Sequence, residues 1–147
     1  MRIYLDNCCY NRPYDDQSQM RINLETQAKL YIQELVRRGK VELATSFVLE
    51  FENAKNRYEM KRKMIKSFMD EYATVYVGRD AFDTLQQNAE KIMQTGVKEK
   101  DAFHVAAAIY ADCDCFISTD DRLLKFKTDE IRLVTPIELI RETEGIL

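Results

Sequence analysis

The sequence predicts a three-layer α/β domain in which helices cover both faces of a parallel sheet. Short β-branched and aromatic runs alternate with longer segments whose apolar residues recur at helical spacing. Strands and helices that alternate in this way favour right-handed crossovers and parallel strands. The 147 residues are 46% hydrophobic and 32% charged, which suffices for a core and excludes disordered and collagen-like classes. We therefore expect residues 1–147 to form a single domain.

Local patterns place each element. The first strand is a short apolar run that Asp6 ends, and the proline-interrupted polar run behind it is typical of a loop. Gly39 and Gly96 stand where helix C-caps belong. Ser46 is a suitable N-cap, and Pro136 suits the first turn of a helix. The predicted elements are a strand at 3–5, a loop at 7–19, a helix at 24–38, a strand at 41–45, helices at 47–54 and 58–72, a strand at 74–77, helices at 80–94 and 99–111, a strand at 114–118, a helical turn at 122–126, a strand at 131–134 and a helix from 136.

Composition also limits the cellular setting. The N-terminus lacks the apolar core of a signal peptide, and the longest apolar runs are far shorter than the roughly 20 residues of a membrane span. We therefore expect a cytoplasmic protein with no membrane partner, whose four cysteines are reduced thiols. A formal charge of -3 argues against an indiscriminate polyanion binder, but it leaves room for a local basic patch.

Acidic residues from four segments are expected at one edge of the sheet. Asp6 ends the first strand, and Asp120 and Asp121 follow the predicted strand at 114–118. Asp101 opens the helix that precedes that strand, and Glu50 lies about one turn into the helix after the second strand. In open parallel sheets, ligands bind beyond the carboxyl ends of the strands, where the strand order reverses.

Carboxylates that converge repel one another unless a cation or a proton compensates. Oxygen ligands without a converging His or Cys favour a hard divalent ion, Mg²⁺ or Mn²⁺. Such an ion activates water and orients a phosphodiester, so phosphodiester hydrolysis is the natural chemistry. Each acid taken singly also suits a structural role, as a turn residue, a helix cap or a solvated helix face.

These residues resemble the PIN-domain nucleases, metal-dependent ribonucleases that include the VapC-like toxins of bacterial and archaeal toxin-antitoxin pairs. The resemblance spans nearly the whole chain and rests on Ile3-Tyr4-Leu5-Asp6, on Glu50, on Lys100-Asp101-Ala102-Phe103-His104-Val105-Ala106-Ala107-Ala108 and on Phe116-Ile117-Ser118-Thr119-Asp120-Asp121. The resemblance implies a central, mainly parallel five-stranded sheet, one or two Mg²⁺ or Mn²⁺ ions, and cleavage of RNA.

Site roles also follow from the resemblance. It implies a catalytic quartet of Asp6, Glu50, Asp101 and Asp121. The implied metal ligands are Asp6, Asp101, Asp120 and Asp121. Among these, Asp120 either assists or replaces Asp121. Thr119 resembles the hydroxyl residue that orders the site in this family. Asn7 is a departure, since many members have Ser or Thr there, and its amide is expected to orient a ligand or contact a phosphate. Arg12 either contacts substrate or belongs to a rigid turn.

The expected partners are an RNA substrate, an antitoxin protein and a second copy of the chain in a homodimer. The basic stretch from Lys55 to Lys66 either contacts RNA or is a solvated helix face. His104 is expected to pack in the core rather than act in the site. Two alternatives are a degenerate RNA- or protein-binding module and a phosphorylatable receiver domain. The second lacks a lysine directly after Val134.

Overall fold

A computed structural model describes residues 1–144, so the last three positions of the predicted domain lie outside the described residues. The strands are β1 (Arg2–Leu5), β2 (Glu42–Ser46), β3 (Ala73–Val77), β4 (Cys115–Ile117) and β5 (Arg132–Val134). The helices are α1 (Asn7–Asn11), α2 (Met20–Arg37), α3 (Phe47–Ala54), α4 (Glu59–Tyr72), α5 (Phe82–Met93), α6 (Glu99–Tyr110), α7 (Asp121–Leu124) and α8 (Pro136–Thr143).

The five strands form one parallel sheet in the order β3-β2-β1-β4-β5. Helices lie on both sides of it, which confirms the predicted three-layer α/β class. The chain builds outward from β1 to β3 on one side, and then crosses to β4 on the other side of β1. The strand order therefore reverses between β1 and β4, and a ligand crevice is expected beyond their carboxyl ends.

Most predicted boundaries agree with the structure within a few residues. The Ser46 hydroxyl accepts a hydrogen bond from the Leu49 amide, so Ser46 is the N-cap of α3 as predicted. Gly39 and Gly96 adopt φ angles of 71° and 101°, a left-handed conformation that ends the preceding helices at little steric cost. The four cysteines are free, as expected for reduced thiols.

The predicted loop at 7–19 is wrong in its first half. It contains α1 and a 3₁₀ turn at Arg12–Tyr14, because the Asp6 carboxylate caps the first turn by accepting from the Asn7 amide. Cys9 and Tyr10 are almost fully buried, so tertiary packing stabilises a helix too short to be stable alone. The next helix, α2, begins at Met20 rather than at residue 24.

The core lies on both faces of the sheet. Strands β1 and β4 are buried almost throughout, as a parallel strand covered on two sides must be. Helix α6 buries its alanines completely, and these small side chains allow the close packing of α6 that brings its first turn to the sheet edge. No helix among residues 1–144 is long and apolar enough to cross a membrane.

Candidate active site

A cleft of about 380 Å³ opens at the carboxyl edge of the sheet, where the strand order reverses. Its lining includes one cation, Lys100, against five carboxylates, namely Asp6, Asp15, Glu52, Asp101 and Asp120. These acids come from the end of β1, the loop before α2, the second half of α3, the first turn of α6 and the segment after β4. The topology thus brings together acids that are far apart in sequence.

Asp6 is the most firmly held of these acids and is 6% exposed. Its Oδ1 accepts the Asn7 amide at 2.8 Å, and its Oδ2 accepts the Ser118 hydroxyl at 2.9 Å and the Cys8 thiol at 3.4 Å. The Ser118 hydroxyl also accepts the Asp120 amide at 3.1 Å. Ser118 therefore connects the acid after β1 to the acid after β4.

Asp101 and Asp120 face the same cleft. Burial raises the pKa of Asp101, and the neighbouring charges of Asp6 and Asp120 raise it further. Asp120 caps α7, since its Oδ1 accepts the amides of Arg122 and Leu123. The structure thus concentrates negative charge that a bound cation would stabilise.

Glu52 belongs to a buried chain of polar groups behind the cleft. Tyr4 Oη lies 2.7 Å from Ser46 Oγ and 2.8 Å from Nδ1 of His104, whose Nε2 is 3.3 Å from Oε1 of Glu52. His104 is fully buried, and its Nε2 makes no hydrogen bond among residues 1–144, so the Glu52 oxygen at 3.3 Å is a neighbour within ion-pair distance. A proton on Nε2 suits the facing carboxylate, so Ser46 donates to Tyr4 and Tyr4 donates to Nδ1.

Two forces act on the Glu52 carboxyl. Burial acts to raise its pKa, but contacts with His104 and Lys100 outweigh burial and hold the pKa below its usual value. Lys100 Nζ lies 3.1 Å from Oε2 of Glu52, while Oε1 faces His104. Glu52 is therefore an ionised carboxylate whose orientation is set by the core.

The donor set is compatible with a divalent metal. Atoms of Asp6, Glu52 and His104 lie within 4.8 Å of one another, and the Asp101 and Asp120 side chains line the same cleft. The Nδ1 atom of His104 is hydrogen-bonded to Tyr4, and its Nε2 faces the Glu52 carboxylate. The carboxylate oxygens that face the cleft are compatible with a divalent metal.

The structure places Glu50 and Asp121 outside this cleft. The Glu50 carboxylate accepts a hydrogen bond from Tyr76 of β3 at 3.0 Å. Asp121 forms a two-pronged ion pair with Arg21 of α2, at 2.8 and 2.7 Å. This hydrogen-bonded ion pair lowers the pKa of Asp121 and points its exposed carboxylate toward α2. Glu52 and Asp120 occupy the cleft instead.

The three expected substrate-contacting residues lie in different settings. Asn7 lines the cleft, and its buried Oδ1 has no hydrogen-bond partner among residues 1–144. The Arg12 guanidinium forms ion pairs with Asp15 at 3.0 Å and with the nearly buried Glu25 at 2.9 Å. The second pair connects the loop to α2. Thr119 is buried and bonds through its backbone, whereas the neighbouring Ser118 supplies the ordering hydroxyl.

Sequence reasoning did not single out Glu52 or Ser118, whereas His104 is buried as expected and faces the Glu52 carboxylate. Glu52 is one of two acids on a short helix, and the chain pattern does not tell which one faces the first strand. The spacing of Asp101 and His104 was a usable signal, since residues three apart share a helix face. Nothing in the sequence assigned the ordering role to Ser118 rather than to Thr119.

Comparison with known proteins supports the fold. No family model and no curated protein matches the sequence. Among solved structures, VapBC2 from Rickettsia felis, crystallised with a DNA fragment from its promoter, matches with a TM-score of 0.58 at 10% identity, over 90% of this chain and 97% of that chain. FitAcB from Neisseria gonorrhoeae matches with a TM-score of 0.56 at 13% identity, over 92% and 98%. Because these identities are low, the likeness shows a shared fold.

Proposed function

We propose that this protein is a Mg²⁺- or Mn²⁺-dependent endoribonuclease that hydrolyses RNA phosphodiester bonds. One observation carries the proposal: Asp6, Glu52, Asp101 and Asp120 come from four segments and line one cleft where the strand order reverses. Converging carboxylates in an apolar fold are costly unless they bind a cation. Their chemistry matches that of the PIN-domain nucleases which the sequence resembles.

The four acids have different proposed roles, which follow from their surroundings. Asp6, Asp101 and Asp120 present the oxygens that would hold the metal, and the bound ion would activate water and stabilise the leaving oxygen. Glu52 is ionised and oriented by His104, which suits it to position the attacking water and accept its proton. Asn7 offers its unpaired Oδ1 to a water or a ribose hydroxyl in the cleft.

The proposal gives Glu50 and Asp121 smaller roles than the resemblance implied. Their carboxylates are bonded to Tyr76 and Arg21, and neither lines the cleft. Arg12 is likewise proposed to stabilise the loop before α2, because Glu25 and Asp15 already occupy its guanidinium. Thr119 contributes its backbone, while Ser118 orders the acids.

We also propose that residues 1–147 form a single PIN-like domain and act as the toxin of a toxin-antitoxin pair, a role that the sequence resemblance implies. The fold shared with VapBC2 and FitAcB is compatible with it. The proposed partners are an antitoxin protein, the RNA substrate and a second copy of the chain. The alternative is a degenerate binding module that has kept the cleft without turnover. The ion pair between Lys100 and Glu52 favours it, since the lysine occupies an acid that catalysis needs.

Cleavage of a mixed RNA pool by the purified protein tests the proposal. Products are compared on a gel after incubation with Mg²⁺, Mn²⁺ or EDTA. The wild type should cut only with metal, and Asp6→Asn and Asp101→Asn should each lose the activity. Asp129→Asn is the matched control, because this exposed acid precedes β5 at the opposite edge of the sheet. Cutting that persists in EDTA, or in both cleft variants, would refute the proposal.

A further inference from the structure

A groove lined by phenylalanines runs beside the acid cleft, between α3, α5 and α6. It has a volume of about 750 Å³ and contains Phe47, Phe51, Phe82 and Phe103. The rings of Phe82 and Phe103 are stacked with centroids 5.8 Å apart, and Phe47 lies tilted 6.4 Å from Phe82. Phe51 is 60% exposed. Phe51 and Phe82 are exposed and Phe47 and Phe103 are half-buried, so the groove offers aromatic surface to a ligand.

The phenylalanine groove is continuous with the acid cleft. Glu52 and Lys100 line both the groove and the cleft, so the two sites adjoin at these side chains. Phe51 directly precedes Glu52 on α3, and Phe103 follows Asp101 on α6. The phenylalanine rings are therefore next to the carboxylates along α3 and α6.

The rim of the groove is cationic. Lys55, Arg79 and Lys100 line it, against Glu99 and the Glu52 carboxylate that Lys100 already pairs. The Lys55 ammonium lies 4.3 Å from the centroid of the Phe51 ring. Flat apolar rings with flanking cations complement nucleobases that are joined by phosphates.

We infer that the phenylalanine groove binds an unpaired nucleobase of single-stranded RNA, beside the phosphodiester held in the acid cleft. The inference rests on the proposed function, because it adds the substrate subsite of the same centre. The base stacks on the face of the exposed Phe51 ring that Lys55 leaves open, and Lys55 and Arg79 contact the adjoining phosphates. Stacking tolerates any base, so this subsite selects single strands over duplexes more than it selects sequence.

Binding without cleavage tests this inference. A short single-stranded RNA that carries 2-aminopurine is titrated with protein in Ca²⁺, and affinity and fluorescence quenching are both recorded. Ca²⁺ replaces Mg²⁺ as an oxygen-ligated cation that compensates the cleft carboxylates, and it does so equally in all variants because these acids are unchanged. We expect wild type to quench the fluorophore, Phe51→Ala to bind about tenfold more weakly without quenching, and Phe51→Trp to restore both.

Tyr110→Ala is the matched control, because this aromatic residue is 49% exposed at the far end of α6. It should bind and quench like wild type. Equal binding by Phe51→Ala and Tyr110→Ala would overturn the inference, as would a wild type that binds no single-stranded RNA. A wild-type dimer that Phe51→Ala converts to a monomer on gel filtration would also overturn it, because the groove would then be covered by a second copy.

The outcomes separate this inference from the proposed function. Binding and quenching by a wild type that cuts no RNA pool would support the groove and refute the nuclease. Metal-dependent cutting together with unaltered binding by Phe51→Ala would refute the groove alone.

Discussion

The identity of the acid in the cleft depends on the phase of a single helix. Consecutive residues of an α-helix are rotated by about 100°, so Glu50 and Glu52 point about 200° apart on α3. One carboxylate meets Tyr76 and the other meets His104. Asp120 and Asp121 are divided similarly, since the first caps α7 and the second pairs with Arg21.

This division predicts unequal effects of two similar substitutions. Glu52→Gln should lower the rate of metal-dependent RNA cleavage roughly 100-fold or more, because it removes the proposed proton acceptor. Glu50→Gln should change the rate by less than about threefold, since its carboxylate only accepts from Tyr76. Initial rates on one RNA substrate measure both. A larger loss in Glu50→Gln than in Glu52→Gln would show that the proposed roles are reversed.

The polar chain behind Glu52 should contribute to stability as well as to orientation. Tyr4→Phe removes the hydroxyl between Ser46 and His104 and leaves Nδ1 buried without a partner, which should cost about 1–3 kcal/mol of unfolding free energy. Tyr10→Phe is the control, because the buried Tyr10 hydroxyl has no hydrogen-bond partner among residues 1–144 and its loss should cost nothing. Urea denaturation measures both variants, and equal stabilities would contradict the proposed polar chain.

Among the helices, α2 carries an unusual buried charge. Lys29 is 6% exposed, and its ammonium donates to Gln33 at 2.6 Å and lies over the rings of Tyr10 and Phe68. No carboxylate among residues 1–144 lies within ion-pair distance of it. Burial lowers the pKa of Lys29 from 10.5 to about 8. The packing of α2 against α1 and α4 therefore carries the free-energy cost of desolvating the Lys29 ammonium group.

This buried amine predicts a pH-dependent stability. Between pH 8 and 10.5 the unfolded chain binds more protons at Lys29 than the folded protein, so this lysine makes wild-type stability rise with pH. Lys29→Met should be more stable than wild type at pH 7, by up to about 3 kcal/mol, and the gain should shrink toward pH 10.5.

Urea unfolding at several values of pH measures this difference. Lys91→Met is the control, because Lys91 is an exposed lysine on α5, and it should show no such trend. A gain for Lys29→Met that stayed constant from neutral to alkaline pH would contradict the account.

For the whole molecule, the reversal of strand order decides where chemistry is possible. β1 lies in the middle of the sheet, so the residue at its carboxyl end is close to residues that follow β2 and β4. That position collects carboxylates from segments far apart in the chain, and the Ser118 hydroxyl links those that bear Asp6 and Asp120. A metal that binds these carboxylates should therefore cross-link segments distant in sequence and stabilise the folded state.

Metal binding should accordingly raise the unfolding temperature. At a Mn²⁺ concentration of 100 times the dissociation constant, the linkage amounts to about 2.7 kcal/mol, which raises Tm by several degrees. Asp101→Asn should lose most of this shift, whereas Asp129→Asn should keep it. Calorimetry with and without Mn²⁺ measures the effect, and an equal shift in both variants would place the metal elsewhere.

Local patterns were sufficient to predict most of the elements and the class of the fold. Strands such as 3–5 are apolar runs bounded by polar residues, and caps such as Ser46 and Gly96 act through their own neighbours. The alternation of strand and helix then implied a parallel sheet. The short helix α1 escaped prediction, because the burial of Cys9 and Tyr10 depends on tertiary contacts rather than on local propensity.

The sequence also indicated the acidic edge, since Asp6 and the pair after β4 must lie at the carboxyl ends of parallel strands. It did not indicate which carboxylate of Glu50 and Glu52, or of Asp120 and Asp121, faces the cleft. Those choices depend on the rotation of α3 against the sheet and on the reach of Arg21 from α2. Such contacts join residues far apart in the chain, so only the tertiary structure sets them.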